Sequence, residues 1–244
     1  MRLLVLYAVP REFRAAARLL GRKTRLSGLP FRTLRFRHPA HTVLAAETGV
    51  GVESAGRVFL RIMESEKFDA AVSIGYCGAL TPDADIGDLL WASRVCLVHS
   101  CRLETLSLPD PGGLFKSLSH SLPIRPAVFF TLAGPMMKRE VVPLVAAGTP
   151  LPVCDMETFA LAKHSVAAGL PFIAIRSVSD RHDEDIPFDP RAVCDASGTY
   201  SPYRAVRLFL SRPGLLPAAL RLGRSSKRAS RSLAQAMDAL LKAL

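Results

Sequence analysis

Residues 172–180 read FIAIRSVSD, an apolar run that ends in a carboxylate. Two other apolar runs also precede an acid: LLVLY at 3–7 lies before Glu12, and the short run at 151–153 lies before Glu157. Apolar runs of this kind are typical of strands that are buried on both faces of a parallel sheet. Ligands of such sheets bind outside the carboxyl ends of the strands. The sequence therefore predicts an α/β enzyme in which Glu12, Glu157 and Asp180 converge and serve proton transfer and the stabilisation of positive charge.

Around these runs, segments with strand and helix patterns alternate along the chain, as expected for a mostly parallel sheet. No repeat or low-complexity tract divides the sequence, so we expect one domain over residues 1–244. The stretch 101–126 is irregular and predicts a surface excursion or a lid over the crevice. Strands are predicted at 2–8, 31–37, 42–47, 69–75, 88–98, 127–132 and 171–178, and helices at 10–20, 51–66, 137–147, 156–168, 202–210, 214–223 and 226–243.

Composition limits the class of protein. With 244 residues, 49% of them hydrophobic, the chain can bury a full core, and no apolar stretch approaches the roughly 20 residues that span a bilayer. The first apolar run is interrupted too early for a signal peptide, so a cytoplasmic location is expected. The five cysteines include no Cys-x-x-Cys pair, which favours reduced thiols over disulfides or zinc. We expect no metal site.

The net charge of +11 is concentrated in a basic helical tail at about 201–244. Nine basic residues and one acid in this tail account for +8 of the total. Between 229 and 244, apolar residues recur at three- and four-residue steps and predict a helix lying against the sheet. Pro213 and Pro217 predict that the preceding segment is broken into short pieces. The basic residues indicate a solvated face or, as the next alternative, attraction to an anionic membrane or another polyanion.

Two glycine-rich turns, at 48–51 and 75–78, follow predicted strands. Glycine lets the backbone approach a ligand closely, and a helix that starts after such a turn offers free N–H groups to anions. Neither turn matches the Gly-x-Gly-x-x-Gly dinucleotide motif, and the sequence has no Gly-Lys-Ser/Thr phosphate loop. Taken alone, each is better explained as a structural turn.

In their order, these pieces resemble the nucleoside phosphorylase and nucleosidase superfamily. The chain most resembles the branch of the methylthioadenosine/adenosylhomocysteine nucleosidases. Its tail is also similar to the hopanoid-associated phosphorylase-like proteins. The resemblance implies a three-layer α/β/α fold with a mixed, mostly parallel central sheet. The matching segments are AVPREF at 8–13, TGVG at 48–51, SIGYCGAL at 73–80, IGDLL at 86–90, DME at 155–157 and IRSVSD at 175–180.

The resemblance also implies roles for particular residues in cleaving an N-ribosidic bond. Asp180 matches the general acid that protonates the purine at N7 and favours a 6-aminopurine, and Ser179 would orient its carboxyl. Glu157 matches the residue that holds the ribose hydroxyls and steadies the ribosyl cation, and Met156 would pack against the sugar. Glu12 matches the residue that activates water.

Some positions depart from the family pattern. Tyr76 stands in the glycine loop before Gly78, where a small hydroxyl residue is usual, and its phenol would fill or reshape the phosphate or water pocket. The aromatic residue expected beside adenine is missing, and Met136 or Phe188 would supply an apolar face instead. The 5′-substituent cannot be identified from the sequence.

The alternatives remain open at this stage. Glu12 favours hydrolysis without a cofactor. Arg11 and Arg14 would instead suit phosphorolysis, with inorganic phosphate as co-substrate. Phosphorolysis of an adenosyl lipid is included in this alternative. Tyr76 also leaves room for a catalytically weak nucleoside-binding protein. Glu12 alone is equally explained as a helix-start acid. The expected ligand is a small-molecule nucleoside and not a nucleic acid, and the resemblance implies a homo-oligomer.

Overall fold

The computed structural model describes residues 1–99, 102–134, 136–186, 188–195 and 200–244. Ten strands and eight α-helices are placed in this part of the chain. The strands are β1 (Arg2–Tyr7), β2 (Lys23–Leu26), β3 (Thr33–Arg37), β4 (Thr42–Glu47), β5 (Ala70–Ala79), β6 (Leu89–His99), β7 (Arg102–Ser107), β8 (Ile124–Leu132), β9 (Pro152–Asp155) and β10 (Phe172–Asp180). The helices are α1 (Pro10–Phe13), α2 (Ala16–Leu19), α3 (Val52–Met63), α4 (Leu114–Leu118), α5 (Lys138–Val141), α6 (Thr158–Ala167), α7 (Pro202–Ser211) and α8 (Leu216–Ala243).

All ten strands belong to one mixed sheet, ordered β10-β6-β8-β9-β5-β1-β4-β3-β2 with β7 paired to β6. An additional pairing of β10 with β5 closes β5, β9, β8, β6 and β10 into a ring. The neighbours β4, β1, β5 and β10 are parallel. Their carboxyl ends therefore lie on one side, as the sequence predicted, and the α/β class with a mixed sheet in one domain is confirmed.

The sheet has a buried apolar layer on each face. Alternate residues of β1 point in opposite directions, so Leu4 and Leu6 join one cluster while Leu3 and Val5 join the other. The first cluster packs under α3 and α6, and the second under α1, α4 and α8. Helices on both faces hold the central strands rigidly, which fixes the loops at their carboxyl ends.

The stretch 101–126 is not a surface lid, and this prediction was wrong. Residues 102–107 form β7, which pairs antiparallel with β6, and Leu114, Phe115 and Leu118 of α4 are buried in the cluster beneath α8. Phe115 stacks on Trp91 with ring centroids 4.3 Å apart. Pro109, Pro111, Gly112 and Gly113 misled the sequence interpretation, because they occupy only the turn between β7 and α4.

The carboxyl-terminal tail forms two helices, α7 and α8: the predicted break at Pro213 is confirmed, and the predicted break at Pro217 is absent. Pro217 lies in the first turn of α8, where its missing N–H has no helical partner to lose, so the helix runs unbroken for 28 residues. The predicted apolar stripe is confirmed, since Leu233, Met237 and Leu240 are at most 1% exposed. The second half of the tail is thus part of the core.

Smaller differences concern short elements. The predicted helix at 10–20 is divided into α1 and α2. The polar edge strand β2 was not predicted, and the apolar run at 151–153 corresponds to the four-residue strand β9. β2 escapes detection because three of its four residues are exposed and its sequence, KTRL, lacks alternation. Four cysteines are free thiols, as expected, and Cys101 lies outside the described residues. Within the described ranges, no helix is both long and apolar enough to cross a membrane.

Candidate functional site

Glu12 lies in α1, just beyond the carboxyl end of β1, and its carboxylate is held by backbone N–H groups. Oε2 accepts hydrogen bonds from Ala8 (2.7 Å) and Val9 (3.0 Å), and Oε1 accepts one from Tyr76 (2.9 Å). The residue is only 5% exposed. Burial raises the pKa of Glu12, while Arg176 and the three N–H donors oppose that rise.

Gly75 allows this close approach of strand β5 to Glu12. A Cβ atom at Gly75 would lie 2.8 Å from Oε1 of Glu12 and 3.2 Å from its Cδ. Any side chain there would push the carboxylate away from the Tyr76 amide. Residues 75–78 lie within β5 and do not form the predicted turn, and the glycine at position 75 is required by the closeness of the Glu12 carboxylate.

Glu157 immediately precedes α6 and reaches across to the turn before α3. Its Oε1 accepts a hydrogen bond from the Gly51 N–H at 2.9 Å, where Gly51 adopts φ 102°. Burial, with the nearby charges of Asp155 and Glu12, raises the pKa of Glu157 to about 8. Near neutral pH the empty site therefore favours the protonated form of Glu157.

Glu12 and Glu157 line the same cleft, of about 170 Å³, at the carboxyl ends of β1, β4 and β5. Arg176 also lines this cleft and is 2% exposed, but its guanidinium is hydrogen-bonded to other side chains of the protein. It donates to Asp155 (3.1 Å), Ser73 (3.0 Å) and Thr158 (2.7 Å). Arg176 is therefore a structural ion-pair partner of Asp155.

Asp180 ends β10 and is 6% exposed. Ser179 Oγ donates to Asp180 Oδ1 at 2.6 Å, as expected for a residue that orients the carboxyl. Gly78 lies directly against the other oxygen, because a Cβ there would be 2.5 Å from Asp180 Oδ2. Burial raises the pKa of Asp180, and a lysine beside it works in the opposite direction.

That lysine is Lys138, which the sequence analysis missed. Its Nζ lies 2.6 Å from Asp180 Oδ2, and it also donates to the backbone carbonyls of Asp180 and Arg181. Both side chains of the pair are 9% exposed. Lys138 opens α5, where a cation is opposed by the helix dipole, and this unfavourable position was the available sequence signal.

Glu47 is a further buried acid that the sequence analysis did not name. It ends β4 in register with Tyr7, is 2% exposed, and its Oε1 has no hydrogen-bond partner among the described residues. Burial raises the pKa of Glu47 to about 7, with Glu12 contributing in the same direction. An acid at the end of a parallel strand was the same signal that identified Asp180.

Comparison with known proteins assigns this arrangement to a family. A model described as the phosphorylase superfamily matches residues 2–198, a range that contains Glu12, Glu157 and Asp180. The chain belongs to the phosphorylase superfamily. The predicted class, an enzyme acting on nucleosides, is thereby confirmed at the level of the family. A search of curated proteins gave no significant match.

Solved structures share the superfamily fold along the full chain. The Helicobacter pylori 5′-methylthioadenosine/S-adenosylhomocysteine nucleosidase is 13% identical, with a TM-score of 0.76 over 100% of this chain and 99% of that one. The Helicobacter pylori futalosine hydrolase gives the same identity and TM-score over 100% and 98%. The Streptococcus pneumoniae nucleosidase, solved with 8-aminoadenine, is 18% identical, with a TM-score of 0.75 over 100% of both chains. These similarities concern the fold.

The phenol of Tyr76 does not enter the cleft in this superfamily member, contrary to our interpretation of the sequence. Tyr76 OH lies 2.6 Å from Oγ of Ser230 on α8, and its ring packs against the cluster beneath that helix. Tyr76 is not among the described residues that line the cleft of Glu12 and Glu157. Its contribution to the site is the backbone N–H that binds Glu12.

The remaining predicted residues lie near Asp180 or close to the cleft. Phe188, together with Ser179 and Asp180, lines a second cleft of about 300 Å³ and packs edge-on against Phe209 of α7. Met156 is half-buried beside Glu157. Met136 packs against a separate apolar cluster and is not among the described residues of either cleft. In the described parts of the chain, no group of three or more His, Cys, Asp or Glu residues is arranged to hold a metal ion.

Proposed function

We propose that this chain hydrolyses the N-ribosidic bond of an adenine nucleoside that carries a 5′-substituent. The observation behind this proposal is that Glu12 and Glu157 share one cleft, while the buried Asp180 lines a second cleft and has a partner for each carboxyl oxygen. The related proteins named above include nucleosidases for methylthioadenosine and adenosylhomocysteine and a hydrolase for futalosine. One of these substrates, 5′-methylthioadenosine, is an adenine nucleoside modified at the 5′ position.

The proposed reaction uses the three acids in different roles. Asp180, in its protonated form, gives a proton to N7 as the bond from C1′ to N9 breaks and its electron pair moves to the base. Glu157 accepts hydrogen bonds from the ribose hydroxyls, and its negative charge steadies the ribosyl cation. Glu12 removes a proton from the water that attacks C1′. The products are free adenine and a free sugar.

The raised pKa values suit these roles. Burial raises the pKa of Asp180 and so favours its protonated form. A general acid requires that form before the reaction. Glu157 has a pKa of about 8 in the empty site, and ribose hydroxyls that donate to it would favour its ionised form. Substrate binding thus helps to generate the charge that the transition state needs.

The charges in the cleft support water over phosphate as the nucleophile. Glu12, Glu157 and Glu47 are all buried acids, and Arg176 is already bound to Asp155. Arg11 and Arg14, the candidates for a phosphate site, are exposed. Among the described residues that line this cleft, a phosphate dianion would therefore find no free buried cation to bind it, which favours water as the nucleophile.

A product assay tests the proposal. Methylthioadenosine, adenosylhomocysteine, 5′-deoxyadenosine and adenosine are each incubated with the full chain, with and without phosphate, and adenine is measured by chromatography. We expect adenine and free sugar without phosphate, and faster release from the 5′-modified substrates than from adenosine. Release that requires phosphate would establish a phosphorylase. No release from any substrate would contradict the proposal for these nucleosides.

A further inference from the structure

A stripe of exposed apolar side chains runs along α7. Tyr203, Val206 and Leu210 are 74%, 56% and 78% exposed. At 100° per residue these positions fall within about 60° of one another, so they form one face of the helix. Large apolar residues at three- and four-residue spacing are normally the buried face of a helix, and here that face points to solvent.

The same pattern continues on the exposed face of α8. Leu216 and Leu220 are 45% and 64% exposed, and the exposed positions that follow them at four- and three-residue steps are Arg224, Lys227 and Arg231. This face is therefore apolar in its first two turns and cationic beyond them. We call the five apolar residues the α7–α8 surface: Tyr203, Val206, Leu210, Leu216 and Leu220.

The segment that carries this surface has charge of one sign, and an acid from elsewhere in the chain, Glu184, lies 3.5 Å from Arg221. Between residues 200 and 237 the sequence contains eight basic residues and no acid. Arg204 and Arg207 are exposed on α7, and Arg212 is exposed just after it. Aliphatic side chains and guanidinium groups are thus interleaved over two consecutive helices.

This combination selects one class of partner. A second copy of the chain, meeting this surface about a two-fold axis, would bring two groups of like charges together. A nucleic acid would pair with the cations but would leave the leucines and the valine without apolar contact. An anionic lipid membrane satisfies both, because aliphatic side chains enter the acyl boundary while arginines bind the headgroups. We propose that the α7–α8 surface docks this protein on anionic lipid membranes.

The second cleft lies on the other face of α8. Ala218, Arg221 and Leu222 line that cleft together with Asp180. At 100° per residue these positions are opposite Leu216 and Leu220, so α8 separates the proposed docking surface from the cleft. This inference concerns attachment, and it stands independently of which bond the enzyme cleaves.

Vesicle sedimentation with the full chain tests the proposal. Vesicles of phosphatidylcholine with phosphatidylglycerol are compared with vesicles of phosphatidylcholine alone. We expect at least tenfold tighter binding to the anionic vesicles, weakening as salt increases. The double variant Val206→Ser/Leu210→Ser should weaken binding about tenfold without changing the charge, and Arg204→Gln/Arg207→Gln should weaken both the binding and its dependence on salt.

The control variant is Leu60→Ser on α3. Leu60 is 49% exposed, and α3 packs on the other face of the sheet from α8. It should bind anionic vesicles as the unmodified chain does. Equal binding to both kinds of vesicle, or unchanged binding of Val206→Ser/Leu210→Ser, would overturn the proposal. So would light scattering in which that double variant converts a dimer to a monomer, because a second copy would then be the occupant.

Discussion

At Asp180, burial and a neighbouring lysine act on the same carboxyl in opposite directions. Burial raises the pKa of Asp180, and the Lys138 ammonium 2.6 Å away lowers it. A general acid must carry its proton before the reaction and release it during the reaction. The pair therefore sets the pH range over which Asp180 can work.

Replacing Asp180 removes the proton donor. Asp180→Asn keeps the shape of the side chain but cannot protonate the base, so adenine release should fall by about 10²–10⁴-fold. Binding of adenine, followed by calorimetry, should change far less. Asp183→Asn, in the exposed loop that follows, serves as the matched control and should keep full activity. Turnover that survives in Asp180→Asn would show that another group protonates the base.

Replacing Lys138 should move the alkaline limit of activity. Without the ammonium, the pKa of Asp180 rises further, so the acid keeps its proton to higher pH. In Lys138→Met, the fall in kcat/KM on the alkaline side should therefore occur at higher pH than in the unmodified chain. A uniform loss of activity with an unshifted pH profile would show that Lys138 only supports the fold.

Glu47 should make the folded chain less stable as pH rises. Its pKa is about 7 in the fold and near 4.5 unfolded, so the folded state holds the proton more tightly. Stability should therefore decline between about pH 4.5 and pH 7. Glu47→Gln should remove this decline and stabilise the protein at pH 8 by roughly 1–3 kcal/mol. Urea denaturation at several pH values measures this, and a lower stability of Glu47→Gln at pH 8 would contradict it.

Of the secondary-structure elements, α8 was predicted correctly on its buried face but not at the residue where it begins. The apolar spacing between 229 and 244 predicted the buried face, which the structure confirms. Pro213 and Pro217 predicted two breaks in the tail. Pro213 does lie between α7 and α8, but Pro217 lies in the first turn of α8, where a proline is compatible with a continuous helix. Prediction also failed for 101–126, where three buried residues of α4 are separated from other apolar residues by turn-forming sequence.

The contribution of α8 to stability can be measured at one residue. Leu233 is fully buried against the sheet, so Leu233→Ala should cost about 2–5 kcal/mol of unfolding free energy. Leu220→Ala on the same helix removes a side chain that is 64% exposed and should change stability by less than about 0.5 kcal/mol. Equal effects of the two variants would contradict the placement of α8 in the core.

At the scale of the whole molecule, the topology brings distant segments together. Glu12, Glu157 and Asp180 could be identified from the sequence because each follows an apolar run at the carboxyl end of a strand. Glu47 ended a predicted strand, as Asp180 did, and was overlooked. Lys138 was not identified because its importance depends on Asp180, 42 residues further along the chain. The phenol of Tyr76 was misplaced for the same reason, since Ser230 lies 154 residues away.

The central claim is that water, activated by Glu12, replaces the base at C1′. The most direct measurement is turnover of methylthioadenosine in phosphate-free buffer made with ¹⁸O-labelled water, with mass spectrometry of the sugar. Hydrolysis predicts a free sugar carrying one ¹⁸O atom, and a loss of about 10²–10⁴-fold in Glu12→Gln but not in the exposed control Glu64→Gln. A sugar 1-phosphate formed only when phosphate is added would contradict this account, as would Glu12→Gln with unchanged activity.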